Sequence, residues 1–250
     1  MAELRRLLIS PERLGDATAP LALDPHERRY LERVLRLRPG ARFAISDGAG
    51  RLYEASLQEQ GMASIETLSQ QFNAAQPQLV LLQGLMRRDL EITLRMATEL
   101  GVDRIVPLKA DRSVLTPREQ RHERWRSQLR EATEQCERLW RPELLAVKPA
   151  DAWWSEPDAA AARALATTRH HTLPSLAAWL NQQQAVGSGQ GPKEIWLAIG
   201  PEAGWSEDEV LAAGAQGWTT VQLGPSILRT ATAAVAAATL MTSWRSMRNP

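Results

Sequence analysis

Two stretches near the carboxyl end decide how this chain reads: IWLAIGPEAGWSEDEVLAA (195–213) and VQLGPSILRTATAAVAAATLMTSW (221–244). Each opens on a short apolar run, 195–199 and 221–223, that stops at a Gly-Pro pair and gives way to a helix-like run. A continuous apolar run ending at glycine reads as a buried strand of a parallel sheet. Open α/β sheets bind ligands in the loops that leave the carboxyl ends of such strands. The two Gly-Pro loops are therefore the first candidates for a site. Ser206, followed by Glu207, Asp208 and Glu209, predicts a capped helix over 206–216, and a second helix is predicted over 230–244.

Working back from there, the same style begins at residue 79. LVLLQG (79–84) and DRIVPL (103–108) read as strands. DLEITLRMATELG (89–101) reads as a helix with Leu90, Leu94, Ala97 and Leu100 inward and Gly101 as its stop. PREQRHERWRSQLREATEQCERL (117–139) reads as a long helix with Pro117 near its start and a stripe of Trp125, Leu129, Ala132 and Cys136. Strand and helix in alternation predict a parallel sheet. ADAWWSE predicts a short helix, AARALATT fits a strand or a helix equally, 173–184 predicts a helix, and AVGSGQGPK (185–193) reads as a flexible surface loop.

Residues 1–75 differ in character. LRRLLI (4–9), ARFAIS, RLYEASL and MASIETL are strand-like, and Asp47-Gly48 with Gly50 supplies a hairpin turn. ALDPHERRYLERVLRL (22–37) predicts a helix with Tyr30, Val34 and Leu37 inward and Leu31 and Leu35 beside them. A small barrel-like domain fits this pattern. QQFNAAQPQ (70–78), polar and Pro-containing, is the linker candidate, so the expected domains are 1–75 and 76–250.

The chain has 250 residues, 44% hydrophobic, with 30 Lys+Arg against 29 Asp+Glu, so it supports a real core and a nearly neutral surface. Its cations are overwhelmingly arginine, the side chain suited to bidentate phosphate and carboxylate contacts. One cysteine excludes a disulfide framework and fits a reducing compartment, and the amino terminus lacks the apolar run of a signal or membrane span. Cytoplasm is the expected location.

Several chemistries find no support. Neither GxGxxG nor GxxxxGK[ST] occurs, which disfavours hydride transfer and P-loop hydrolysis. His26, His122, His170 and His171 have no metal-ligand spacing, and no metal is expected. Cys136, on an apolar stripe, reads as a core thiol rather than a nucleophile. The 200–204 and 224–229 loops read either as glycine turns or as a pocket binding an adenosine-like ligand through backbone groups. Arg29, Arg33 and Arg36, at i, i+4 and i+7, share one predicted helix face, which suits phosphate contact or a plain solvated surface.

IGPEAGWSEDEV and LGPSILRTATA resemble the two closing motifs of the bacterial small-subunit ribosomal RNA uridine N3-methyltransferases, members of the SPOUT (trefoil-knotted) superfamily. ATELGVDRIVPLKADRSV (97–114) and ERWRSQLREATEQCERLWRPEL (123–144) resemble two further segments, and the N-terminal RR with VLRLRPG…DGAG resembles the family's PUA-like RNA-binding barrel. The resemblance implies a PUA-like β-barrel followed by a SPOUT α/β domain with a deep C-terminal trefoil knot. It implies a homodimer that methylates N3 of a uridine in 16S ribosomal RNA of the small ribosomal subunit, using S-adenosyl-L-methionine.

By motif match, Ile199, Gly200, Pro201, Glu202 and Gly204 form one wall of the cofactor pocket, and Leu223, Gly224, Ser226, Ile227 and Leu228 the other. Arg5 and Arg6 meet the RNA. Arg229 is the candidate catalytic cation, stabilising the anion that forms when uracil N3 loses its proton; a phosphate or dimer contact is its alternative role. Three departures stand against the family pattern: Ala231 where LRTETA has glutamate, Ala203 where GPEGG has glycine, and ERLWRPE (137–143) where a GRN/GRS-like sequence follows the cysteine. They define the alternative reading, a SPOUT-fold RNA-binding protein with an altered target or weakened transfer.

Overall fold

The computed structural model describes residues 4–15, 19–114, 119–168, 172–183 and 191–248. Pro117, His170, His171 and most of the 185–193 loop lie outside the described residues. The chain forms two compact units, one of residues 1–74 with 130–141, the other of 75–129 with 142–250.

The first unit is built on a five-stranded sheet in the order Arg6–Leu8, Arg42–Ser46, Arg51–Leu57, Met62–Gln71, Leu21–Ala22. Its first pair is parallel and the others antiparallel. Leu7, Ile9, Leu31, Phe43, Ile45, Ala55 and Leu57 form its core. The hairpin forms where the Asp-Gly signal put it: the Asp47 carboxylate accepts from the Ala49 and Arg51 amides at 2.7 and 2.9 Å, and Gly48 and Gly50 take φ of 68° and 97°. Residues 130–141 pack here as well. The Glu134 carboxylate accepts from the Leu8 amide at 2.9 Å, and Arg141 N–H donates to the Gly48 carbonyl at 3.0 Å.

The 22–37 helix is shorter and differently wound than its periodicity predicts. A capping box of Asp24 and Glu27 starts it at Pro25, and Tyr30–Val34 is a π-type turn in which the Leu35 amide reaches the Tyr30 carbonyl at 2.9 Å. The wider turn leaves Val34 63% exposed, while Leu31 is fully buried and Tyr30, Leu35 and Leu37 pack half-buried against the same core. Arg36, at φ 55°, lies beyond the helix. The expected i, i+4, i+7 face of Arg29, Arg33 and Arg36 is thereby broken at its third member. Glu27 is itself fully buried, and it is held by Arg13 and by Arg130 at 3.0 Å. A buried carboxylate needs such partners.

The second unit is an α/β sandwich. Its strands run Thr219–Val221, Ala162–Ala166, Glu194–Ile199, Gln78–Gly84, Arg104–Lys109, Glu143–Leu144, with Lys148–Pro149 also on Arg104–Lys109, and every pair is parallel. AARALATT resolves as a strand because it lies between two others, with Ala164 and Leu165 fully buried. The pleat divides the core. Leu79 and Leu81 join the helices Leu90–Leu100, Leu176–Gln182 and Thr230–Arg248 on one face, whereas Val80 and Leu82 meet Trp153, Trp154, Trp205 and Trp218 on the other.

Alanine suits the last helix because it packs closely: Ala233, Ala234, Ala237 and Ala238 are all buried. Near its end Arg245 pairs with Asp103 and donates to the Gly101 carbonyl at 2.8 Å. The segment entering this helix is stitched to another loop. The Gln222 amide donates to the Pro174 carbonyl at 3.0 Å, and the Leu176 amide to the Gln222 carbonyl at 2.8 Å.

Candidate functional site

Because all strands of the second unit are parallel, their carboxyl ends share one edge. The loops after residues 84, 109, 166, 199 and 221 open there onto one cleft of about 1540 Å³. Every residue expected to hold the cofactor lines it: Ile199, Gly200, Pro201, Glu202 and Gly204 on one loop, Leu223, Gly224, Ser226, Ile227 and Leu228 on the other, together with Arg229.

The first loop is fixed from several sides. Gly204 turns back with φ 73°, and its amide donates to the Pro201 carbonyl at 2.9 Å. A Cβ on Gly84 would lie 2.5 Å from the Pro201 nitrogen, so the central strand end and this loop approach as only glycine permits. Trp205 Nε1 donates to the Ala166 carbonyl at 3.0 Å, and the ring stands edge-on to Trp154. The Glu202 carboxylate accepts from the Arg87 amide at 2.7 Å, a loop-capping contact.

Ser206 and Glu209 form the capping box that starts the next helix. Ser206 Oγ also donates to the Asp111 carboxylate at 2.6 Å, and the Asp111 amide donates to Glu209 at 2.9 Å. Arg112 then donates to the Ala203 carbonyl at 3.2 Å. Ala203 is exposed, and the positive φ falls on Gly204 instead. Alanine at 203 therefore carries no backbone strain.

The second loop is open where the first is tied. Among the described residues, no backbone or side-chain acceptor engages the amides of Leu223, Gly224, Ser226, Ile227 or Leu228. Leu223, Leu228 and Ala231 are half-buried against the core. Uncommitted amides beside apolar side chains suit a ligand with a polar edge and an apolar body.

Three exposed arginines line the cleft, Arg88, Arg112 and Arg229, with Asp89, Glu202 and Glu207 as its carboxylates. Arg88, Asp89, Arg112, Thr167, Thr168 and Gln222 do not follow from the two Gly-Pro motifs. The signal for Arg88 and Arg112 was available, since both follow strands legible in the sequence.

The cations expected to meet RNA all lie in the first unit. Arg5, Arg29, Arg33 and Arg36 are exposed. Arg6 is half-buried and paired with Glu137 at 3.1 Å. Among the described residues there is no cluster of metal-ligating side chains and no helix long and apolar enough to cross a membrane.

Residues 74–242 match an RNA methyltransferase domain and residues 23–61 an RNA methyltransferase PUA domain, which defines the class. The chain is 34% identical over 231 residues, 91% of its length and 74% of the relative's, to the ribosomal RNA small subunit methyltransferase E of Synechocystis. It is 28% identical to the Mycobacterium tuberculosis protein of that name, over 92% of this chain and 89% of the relative. The chain belongs to the ribosomal RNA small subunit methyltransferase E family. A Neisseria gonorrhoeae member solved with S-adenosyl methionine aligns with a TM-score of 0.77 at 27% identity, over 96% of this chain and 98% of that one. A Legionella pneumophila methyltransferase solved with the same cofactor shares the fold with a TM-score of 0.82 at 22% identity, over 97% and 98%.

Proposed function

We propose that this chain transfers the methyl group of S-adenosyl-L-methionine to N3 of a uridine in 16S ribosomal RNA of the small subunit, acting as a cytoplasmic homodimer. The observation that carries this reading is the meeting of both Gly-Pro loops on one cleft, within a chain that has RNA methyltransferase and PUA domains.

The residues present fit the cofactor. Ile199, Leu223 and Leu228 offer apolar surface to a base, and the free amides of Leu223, Gly224, Ser226, Ile227 and Leu228 offer donors to its polar edge and ribose. Gly200 leaves room that a side chain would lose, because a Cβ there would lie 3.2 Å from the Trp205 ring. The cofactor supplies an electrophilic methyl on sulfonium. What the chain must add is alignment and charge. Uracil N3 is a poor methyl acceptor while it holds its proton; with that proton released to solvent, the Arg229 guanidinium, assigned to the uracil carbonyls, stabilises the imide anion that accepts the methyl group. Arg5, Arg29 and Arg33 are assigned to backbone phosphates, with Arg36 on the turn beyond them. Arg6, paired with Glu137, is assigned to the RNA as well.

The threading of the C-terminal segment as a trefoil knot is part of the same reading. Its support is the stitch between Gln222 and residues 174–176, ahead of a helix that packs against Leu176–Gln182 on the same face of the sheet. Ala203 and Ala231 favour no second reading: the first is unstrained, and the second packs half-buried on the core.

The test is methyl transfer from labelled cofactor to small-subunit RNA, followed by mass mapping of the modified nucleotide. Arg229→Ala is expected to lower kcat by about 100-fold or more, with unchanged melting and cofactor affinity. Absence of transfer by wild-type protein that binds the cofactor overturns the reading.

A further inference from the structure

The cleft is larger than one cofactor requires. Small-molecule sites usually enclose about 300–1,000 Å³, against about 1540 Å³ here. The additional space is bordered by loops that the cofactor motifs do not include, 85–89 and 110–113. Each puts one exposed arginine on the cleft, Arg88 and Arg112.

Arg112 is held in an unusual way for a surface cation. Its loop is tied by the Asp111–Ser206 bond at 2.6 Å, by the Asp111 amide on Glu209 at 2.9 Å, and by the Ala110 amide on Ser113 Oγ at 3.1 Å. The guanidinium itself touches only a neutral group, the Ala203 carbonyl at 3.2 Å. Among the described residues no carboxylate lies within ion-pair distance of Arg112 or Arg88. Of the nearby acids, Asp111 bonds Ser206, Glu209 caps its helix, and Glu202 accepts from the Arg87 amide; Asp89 and Glu207 also line the cleft but make no ion pair with either arginine. An arginine on a loop tied by its neighbours, with most of its five donors free and facing a cleft, is pre-organised for an anion.

We propose that Arg112, with Arg88 as a second cation, grips a phosphate of the acceptor RNA next to the target nucleotide and so positions the base at the methyl donor. This rests on the RNA methyltransferase reading. Arg229 is not needed for that grip; it acts on the uracil ring. The role differs from that of the first unit's arginines, which lie on another compact unit and serve bulk affinity. Arg112 is a positioning residue: it contacts the acceptor's backbone and leaves the reacting atoms to others.

The test compares Arg112→Ala and Arg112→Lys with wild type for binding to small-subunit RNA across a salt series, without turnover, and for KM and kcat with turnover. Arg112→Ala is expected to raise the RNA Kd and KM about tenfold, the worth of one charge-assisted hydrogen bond. The slope of log affinity against log salt is expected to shrink by about one. Arg112→Lys keeps the charge and the slope while losing the bidentate fork, so it sits between the two in KM. Cofactor affinity, measured by calorimetry, stays within about twofold.

An unchanged salt slope in Arg112→Ala overturns the proposal. So does weakened cofactor binding with RNA affinity intact, which would make Arg112 only a brace for the 200–204 loop. A wild type that binds the RNA but transfers no methyl sinks the functional reading instead, and the salt slope still decides this one.

Discussion

At the residue scale, one position changes the meaning of a family departure. Ala203 stands where the resembling motif has glycine, and a required positive φ there would strain the loop. The structure puts the positive φ at Gly204, 73°, and leaves Ala203 exposed in an ordinary conformation. Ala203→Gly should therefore leave activity unchanged and shift stability by no more than the backbone entropy of one glycine, about 0.5–1 kcal/mol. Gly204→Ala should cost about 1–2 kcal/mol and weaken cofactor binding, as measured by chemical denaturation and calorimetry. The reverse order of effects would mean that the turn is wrongly placed. Arg229 shows the opposite case: its motif position predicted its place on the cleft, and the fold put it there.

At the element scale, the decisive device is the start of the Glu207–Ala215 helix. Ser206 both caps that helix and donates to Asp111, so a single hydroxyl ties two cleft loops together. Ser206→Ala should cost about 1 kcal/mol as a lost cap. It should also lower RNA affinity through Arg112 while leaving the salt slope near wild type, because the cation remains. Affinity and melting temperature both unchanged would dismiss the tie. The 22–37 segment shows where periodicity fails. The pattern of Tyr30, Val34 and Leu37 assumed regular winding; Tyr30 and Leu37 do pack on the core, but the π-type turn at Tyr30–Val34 turns Val34 outward and buries Leu31. Nothing in a list of apolar positions encodes one extra residue in a turn, since the wider turn is set by what the segment packs against.

At the scale of the whole molecule, a half-buried acid makes stability depend on pH. Burial pushes the Glu134 carboxyl above the ordinary carboxylate value, and the Leu8 amide and Arg130 offset this only in part. The native state thus keeps a proton that the unfolded chain has lost, so stability falls as pH rises from about 4.3 through the raised folded value. Glu134→Gln, which retains an acceptor for the Leu8 amide, should remove that decline. Urea midpoints measured at acidic and neutral pH should show wild type losing ground to the variant as pH rises. A constant difference between the two would refute it. The sequence alone determined the α/β alternation, the two Gly-Pro loops, the capped helix at Ser206 and the hairpin at Asp47-Gly48, because caps, turns and buried runs are short-range properties of neighbouring residues. Tertiary structure decided what lies far apart in the chain. It resolved 162–166 as a strand, since an alanine-rich run takes its conformation from its neighbours in the sheet. It moved residues 130–141 into the first unit. It also set Arg88 and Arg112 on the same cleft as the Gly-Pro loops, because a parallel sheet gathers every strand's carboxyl end on one edge however distant in sequence.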